Sequence, residues 1–193
     1  MIIYADFSSV YGYLASLRVD RLMTDGHGQS DYGPFDWRAV EHRPGLPRPG
    51  LQLSGTAQVI RGRELAAARC LLTPGEEFGA RNPRFLPNTR YANVIYAYAR
   101  AQGFGDEARR TLFDAYWLQG LHIGQPEVVD RVVDRLLPTA LNPIRSTRSQ
   151  TRDWEVEWLH LGTCVDLAIV SPHHTECGPA ALGQLSGSPS RVA

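Results

Sequence analysis

"DFSSVYGYLASLRVDRL" (residues 6–22) follows the apolar opening "MIIYA" (1–5). Residues 1–7 read as a buried strand. Ser9 to about Met23 reads as a helix, with Tyr11, Leu14, Ala15 and Leu22 close to one face. Two serines and a glycine therefore stand where a strand hands the chain to a helix. A helix start presents free N–H groups and a partial positive charge, which a serine hydroxyl can cap and a bound anion can satisfy. Whether that start is only capped, or also holds a ligand, depends on what the rest of the chain brings to it.

Downstream, "TDGHGQSDYGP" (24–34) reads as a loop from its Gly, Asp and Pro content. "FDWRAVEH" (35–42) alternates Phe35, Trp37 and Ala39 with Asp36 and Arg38 and predicts a second strand. A β-α-β opening implies parallel strands joined by a right-handed crossover. "RPGLPRPG" (43–50) breaks regular structure. Five helices follow. One spans Thr56 to Leu72, and one starts at Asn88, a good N-cap, with Tyr91, Val94, Ile95 and Tyr98 at helical spacing. A third starts at Asp106, and a fourth spans Gln125 to Leu137 with Pro126 at N1. The fifth spans Thr151 to Leu161 and aligns Trp154, Trp158 and Leu161. "TCVDLAIVS" (163–171) returns to strand, "TEC" (175–177) gives a short strand, and "GPAALGQL" a last helix. The order β-α-β, helices, β-β-α is that of an α/β thioredoxin-like fold with an all-helical insertion between the second and third strands. Residues 1–55 and 162–186 are expected to form the thioredoxin-like unit, 56–161 the helical insertion and 187–193 a flexible tail. There is no internal repeat.

The chain has 193 residues and is 43% hydrophobic, enough for one sizeable core. Its formal net charge is zero, so nucleic acid is not an expected partner. All twenty basic residues are Arg, which excludes a lysine Schiff base or lysine general base. No apolar run approaches a membrane span, and the acid at Asp6 interrupts any signal-peptide pattern. A cytoplasmic location and no membrane partner are therefore expected. Cys70, Cys164 and Cys177 are far apart, odd in number and without a CxxC; reduced thiols are expected.

"DFSSVYGYLASLRVDRL", "FDWRAVEHRPG", "PNTRYANVIYAYARAQG", "LFDAYWLQGLHIGQPEVVDRV" and "WEVEWLHLG" together resemble the DsbA-like family over about residues 1–162. The nearest branch contains the 2-hydroxychromene-2-carboxylate isomerases and kappa-class glutathione transferases. Where dithiol members carry a CxxC, this chain has Ser9, Val10, Tyr11 and Gly12. The isomerase and kappa branch has serine first, then typically Pro-Tyr-Ser. Ser9 and Tyr11 match that pattern, and Val10 and Gly12 depart from it. Val165-Asp166 aligns with the Val-Pro that carries the family's cis-proline. A cis bond before a residue other than proline costs about 3 kcal/mol, so Asp166 is expected to be trans and the local backbone to differ.

The resemblance implies a serine-type isomerase or transferase acting on a conjugated or aromatic small molecule. Its cofactor would be glutathione or another low-molecular-weight thiol, with no metal, and a homodimer is implied as well. Ser9 would bond the cofactor's sulfur and, with the helix amides, favour the thiolate. The catalytic candidates are Ser9 and Asp166, and the binding candidates are Ser8, Val10, Tyr11, Val165, Asn88 and His42. Without a CxxC, disulfide exchange is not expected. Asp166 changes this picture: it would repel a thiolate, fill the anion site itself, or act as general acid or base. An alternative is therefore a repurposed thioredoxin fold that binds or converts a biosynthetic intermediate without a thiol, with Asp166 as acid–base group. A non-catalytic partner protein is the third reading. "HHTEC" (173–177) offers His173, His174, Glu176 and Cys177, but neighbouring strand residues face opposite ways, so a solvated turn is expected.

Overall fold

The computed structural model describes residues 1–24, 34–137, 145–162 and 166–186. The predicted loop tip at 25–33, the tail at 187–193 and the residues Thr163, Cys164 and Val165 lie outside them. A four-stranded sheet has the order β2-β1-β5-β6, from β1 (Ile2–Ala5), β2 (Asp36–Ala39), β5 (Leu167–Val170) and β6 (Thr175–Cys177). β1 runs parallel to β2 and antiparallel to β5, and β6 is antiparallel to β5. The parallel pair is joined through α1 (Val10–Thr24), as the β-α-β opening predicts. This is the thioredoxin-like arrangement.

Between β2 and β5 come α2 (Gly55–Arg69), α3 (Arg90–Ala101), α4 (Gly105–Trp117), α5 (Pro126–Val133) and α6 (Arg145–His160). Among the described residues this segment also holds one short antiparallel pair, β3 (Gly50–Gln52) with β4 (Phe85–Pro87), which the sequence pattern does not predict. A chain crossing explains the glycines here. Gly50 has φ +138°, and a Cβ there would stand 2.3 Å from the Leu86 carbonyl oxygen. Gly124 lies against the Pro49 carbonyl, where a Cβ would be 1.8 Å away. Some helix starts shift as well. Thr89, not Asn88, occupies the N-cap position of α3, and Phe104 precedes α4, which begins before Asp106. α6 begins six residues earlier than its tryptophan stripe suggests, and the last helix (Gly178–Leu185) is a 3-10 helix.

The core lies between the sheet and the helices. Phe7, just past β1, meets Phe113 of α4 at 5.0 Å and Tyr96 of α3 at 5.7 Å between ring centres. Tyr13 of α1 stacks on Trp117 of α4, whose indole N–H donates to the Phe7 carbonyl at 3.2 Å. α6 packs against the far side of this core through Trp154 and Trp158, which meet Tyr96 and Tyr4. The expectation of reduced thiols needs correction: Cys70 is free and exposed, but Cys177 is disulfide-bonded. Wide spacing and the lack of a CxxC do not exclude a disulfide, because strand pairing, not distance along the sequence, sets which segments lie beside a cysteine. Cys177 pairs with Ala168 at the open end of the β5–β6 hairpin, beside the start of β5.

Candidate functional site

The ends of three strands meet at one edge of the sheet. Ala5 pairs with both Ala39 and Leu167, so Asp6 leaves β1 beside Val40 of the β2 exit and Asp166 at the entry to β5. α1 begins at the same edge. Ser9 is its N-cap: its hydroxyl oxygen accepts the Gly12 N–H at 3.0 Å, and its carbonyl accepts the Tyr13 N–H. A hydroxyl is used here because it satisfies one of the amides a helix start leaves without a partner. Gly12 allows α1 to sit close to β1, since a Cβ there would stand 3.0 Å from Ala5 Cβ and 3.2 Å from the Asp6 carbonyl oxygen. That contact gives a steric reason why position 12 carries no side chain.

Asp6 ties the turn together. One carboxylate oxygen accepts the Ser8 N–H at 2.7 Å. The other accepts the His42 N–H and the Thr89 hydroxyl, both at 2.9 Å. Asp6 is 2% exposed, so these bonds stand in for its lost hydration. The Ser8 carbonyl accepts from Arg61 of α2. Arg61 is buried over the Trp117 ring, pairs with Glu64 at 2.7 Å and approaches the Tyr116 hydroxyl.

Asp166 has φ +68°, a left-handed conformation that a non-glycine residue adopts rarely. Its carboxylate is about one-third exposed and lies 3.2 Å from His42 Nδ1, an ion-pair distance whose angle falls short of a well-formed hydrogen bond. The His42 side chain is 95% buried and stacks on Trp158 at 5.2 Å between ring centres. Its Nε2 has no partner among the described residues. The His42 contact, with the charges of His42, Arg43 and Arg61, holds the Asp166 carboxyl below its usual range, against the effect of burial. Burial first, then the negative charges of Asp166 and Glu64, raises Tyr11, so its phenol stays protonated. Tyr11 is half-buried, and neither its hydroxyl nor the Val10 and Tyr11 N–H groups have an acceptor among the described residues.

The structure thus brings Ser8, Ser9, Tyr11, His42 and Asp166 to one edge. It places two other candidates elsewhere. The Val10 side chain is in the core. Asn88 is 5% exposed and is used in the scaffold, donating to the Leu46 carbonyl at 2.8 Å and accepting the Arg90 N–H at 3.3 Å. Val165, and with it the Val165–Asp166 peptide bond, lies outside the described residues. The sequence alone does not single out Asp6 or Arg61: Asp6 reads only as an acid interrupting an apolar start, and Arg61 in "VIRGREL" as a solvated helix residue. At the other end of the sheet, His174 meets Glu176 at 3.2 Å on an exposed turn. No group of three or more metal-ligating side chains gathers among the described residues, and no described helix is long and apolar enough to cross a membrane.

No family model matches this chain, and no curated protein matches its sequence. Its fold does match solved structures. A probable DsbA oxidoreductase from Streptomyces coelicolor superposes with a TM-score of 0.68 at 14% identity, over 100% of this chain and 92% of that one. A 2-hydroxychromene-2-carboxylate isomerase superposes with a TM-score of 0.65 at 16% identity, over 96% of this chain and 92% of the other. The fold is therefore DsbA-like, as the sequence resemblance implies.

Proposed function

We propose that this chain is a small-molecule isomerase that moves a proton with Asp166 and uses neither a disulfide nor a thiol. The carrying observation is one partly exposed, ionised carboxylate at the edge where α1 begins, held by His42, while the Ser9 hydroxyl serves as the helix cap. The likeness in fold to an isomerase supports the class of reaction but not the substrate.

The chemistry follows from the charges. Asp166 removes a proton from a carbon next to a carbonyl, and the bonding pair moves onto the carbonyl oxygen as a conjugated enolate forms. Tyr11, kept protonated, and the Val10 and Tyr11 amides at the positive end of α1, which have no acceptor among the described residues, are donors for that oxyanion. Asp166 then returns the proton to a carbon further along the conjugated system. Nothing is consumed, so no co-reactant is needed. A carboxylate held at low pKa is a weak base, which restricts the substrate to one with an already acidic proton, as in a β,γ-unsaturated ketone, whose conjugated isomer is then the product.

A second reading, thiolate chemistry on glutathione or another small thiol bound at Ser9, is favoured by the position of Ser9 at the helix start. It is opposed by the 1% exposure of Ser9 and by the Asp166 charge, which acts on Tyr11 in the first turn of the same helix. The deciding experiment screens β,γ-unsaturated carbonyl compounds and their conjugated isomers for isomerisation with wild type, Asp166→Asn and Ser9→Ala, alongside calorimetric titration with glutathione and mycothiol. A loss of roughly 100-fold or more in kcat/KM for Asp166→Asn, with no thiol requirement, is expected. Saturable thiol binding that weakens in Ser9→Ala, with Asp166→Asn fully active, would transfer the function to the second reading.

A further inference from the structure

We infer that His42 is the positioning residue of Asp166, and that Trp158 in turn holds His42, so that α6 sets the orientation and charge state of the carboxylate. This rests on the reading of Asp166 as the reacting group. Three observations carry it. First, the His42 ring has no polar contact among the described residues other than Asp166 Oδ1 at 3.2 Å, and its Nε2 is buried without a partner. An imidazole placed so is committed to one task. Second, the ring lies nearly parallel to Trp158, 20° off and 5.2 Å between centres, so a residue of α6 fixes its plane. Third, its backbone is pinned separately by the N–H bond to Asp6, the same carboxylate that holds the Ser8 turn into α1.

Exposure then separates the roles. The carboxylate is about one-third exposed and the imidazole 5%, so the carboxylate meets the substrate and the imidazole stands behind it. Around Asp166 the charged and titratable groups are His42 and Arg43 from the segment after β2, Arg61 from α2 and Tyr11 from α1. Arg61 has Glu64 and the Tyr116 hydroxyl as further partners, whereas His42 alone among these groups is in contact with the carboxylate.

The test is the titration of the Asp166 carboxyl by carbon NMR on 13C-labelled protein, in wild type, His42→Phe, His42→Asn and Trp158→Leu. His42→Phe keeps the ring on Trp158 and removes the nitrogen; the Asp166 titration is expected to move upward. His42→Asn replaces Nδ1 with an amide donor and should bring it part of the way back. Trp158→Leu, with His42 intact, should move it upward as well. An unchanged titration in folded His42→Phe overturns the inference, and an unchanged titration in folded Trp158→Leu overturns the role of α6. The two claims fail separately. If His42→Phe shifts the titration but Asp166→Asn leaves isomerisation intact, the pair stands and the proposed reaction falls. If Asp166→Asn abolishes isomerisation while His42→Phe changes neither the titration nor the pH–rate profile, the reaction stands and His42 has no part in it.

Discussion

Ser9 and Asp6 act on the same turn at very different cost. The Ser9 hydroxyl satisfies one amide of α1, the Gly12 N–H. Losing such a cap costs about 1 kcal/mol, because water or a local adjustment replaces the bond. Asp6 answers three donors from three different segments: the Ser8 N–H, the His42 N–H and the Thr89 hydroxyl. Its side chain is inaccessible to solvent that could take over. Each donor left without a partner costs roughly 1–3 kcal/mol, so Asp6→Ala should lose about 3–5 kcal/mol in all, allowing for relaxation. Urea denaturation of the two alanine variants checks this. The expected outcome is a large fall in midpoint for Asp6→Ala and a small one for Ser9→Ala, at unchanged slope. Equal losses would show that the turn is held by α1 alone.

At the scale of the element, α6 is joined to the sheet by polar contacts as well as by its tryptophans. Glu157 accepts from the Tyr4 hydroxyl at 2.8 Å and pairs with Arg38. Glu155 accepts the Glu41 N–H at 2.6 Å, close to the carboxylates of Glu41 and Asp6. Burial, then the charges of Glu41 and Asp6, pushes the Glu155 carboxyl up to about 7, although the Glu41 N–H and Arg90 pull the other way. A folded value above the unfolded one, about 4.3, means the folded state holds the proton more tightly. The contribution is present in full below about pH 4.3 and is lost as pH rises through the folded value near 7. Glu155→Gln keeps the carbonyl that accepts the Glu41 N–H and removes the charge. It should raise stability at pH 8 by about 1–2 kcal/mol, after discounting for partial exposure, and leave it unchanged near pH 4. Thermal melts at the two pH values decide it; a Glu155→Gln protein no more stable at pH 8 would remove the carboxylate repulsion from this account. The tryptophan stripe of α6 is readable in sequence because Trp154 and Trp158 lie four apart on one face. Its acidic contacts are not readable, because Glu155 and Glu157 look like the solvated side of the same helix.

Across the whole molecule, legibility follows the strength of the local signal. β1, α1, β2 and β5 are readable because buried strands are apolar runs or alternations, and because a helix after a serine turn has a definite start. β3 and β4 are three residues each, contain Gly50 and Pro87, and exist only because distant segments meet. The site divides in the same way. Ser9, Asp166 and His42 stand at motif positions or strand ends, whereas Arg61 and Asp6 acquire their roles only when α2 and the segments around 42 and 89 close on the first turn.

Arg18 is another long-range centre of this kind and binds the first helix to the segment after α2 and to the 3-10 helix Gly178–Leu185. It is buried on α1 and forks onto Glu76 at 2.7 and 3.0 Å. It also donates to the Leu71 carbonyl at 2.7 Å and to the Leu182 carbonyl of the terminal 3-10 helix at 2.8 Å. Burial raises Glu76, but Arg18 and the Thr73 N–H outweigh it and hold the carboxyl below its usual range. A depressed carboxyl stabilises the fold above its unfolded value, and this contribution disappears as pH falls through the folded one. Removing one partner of a buried pair leaves the other charge uncompensated at roughly 3–5 kcal/mol, whereas replacing both with apolar side chains of similar size is often neutral. Glu76→Leu should therefore destabilise strongly, and Arg18→Met/Glu76→Leu should recover much of the loss, limited by the two carbonyls that lose their donor. Urea midpoints at pH 7 for the single and double variants measure the coupling. Additive losses in the double variant would mean that Arg18 is held mainly by the Leu71 and Leu182 carbonyls and that Glu76 is incidental.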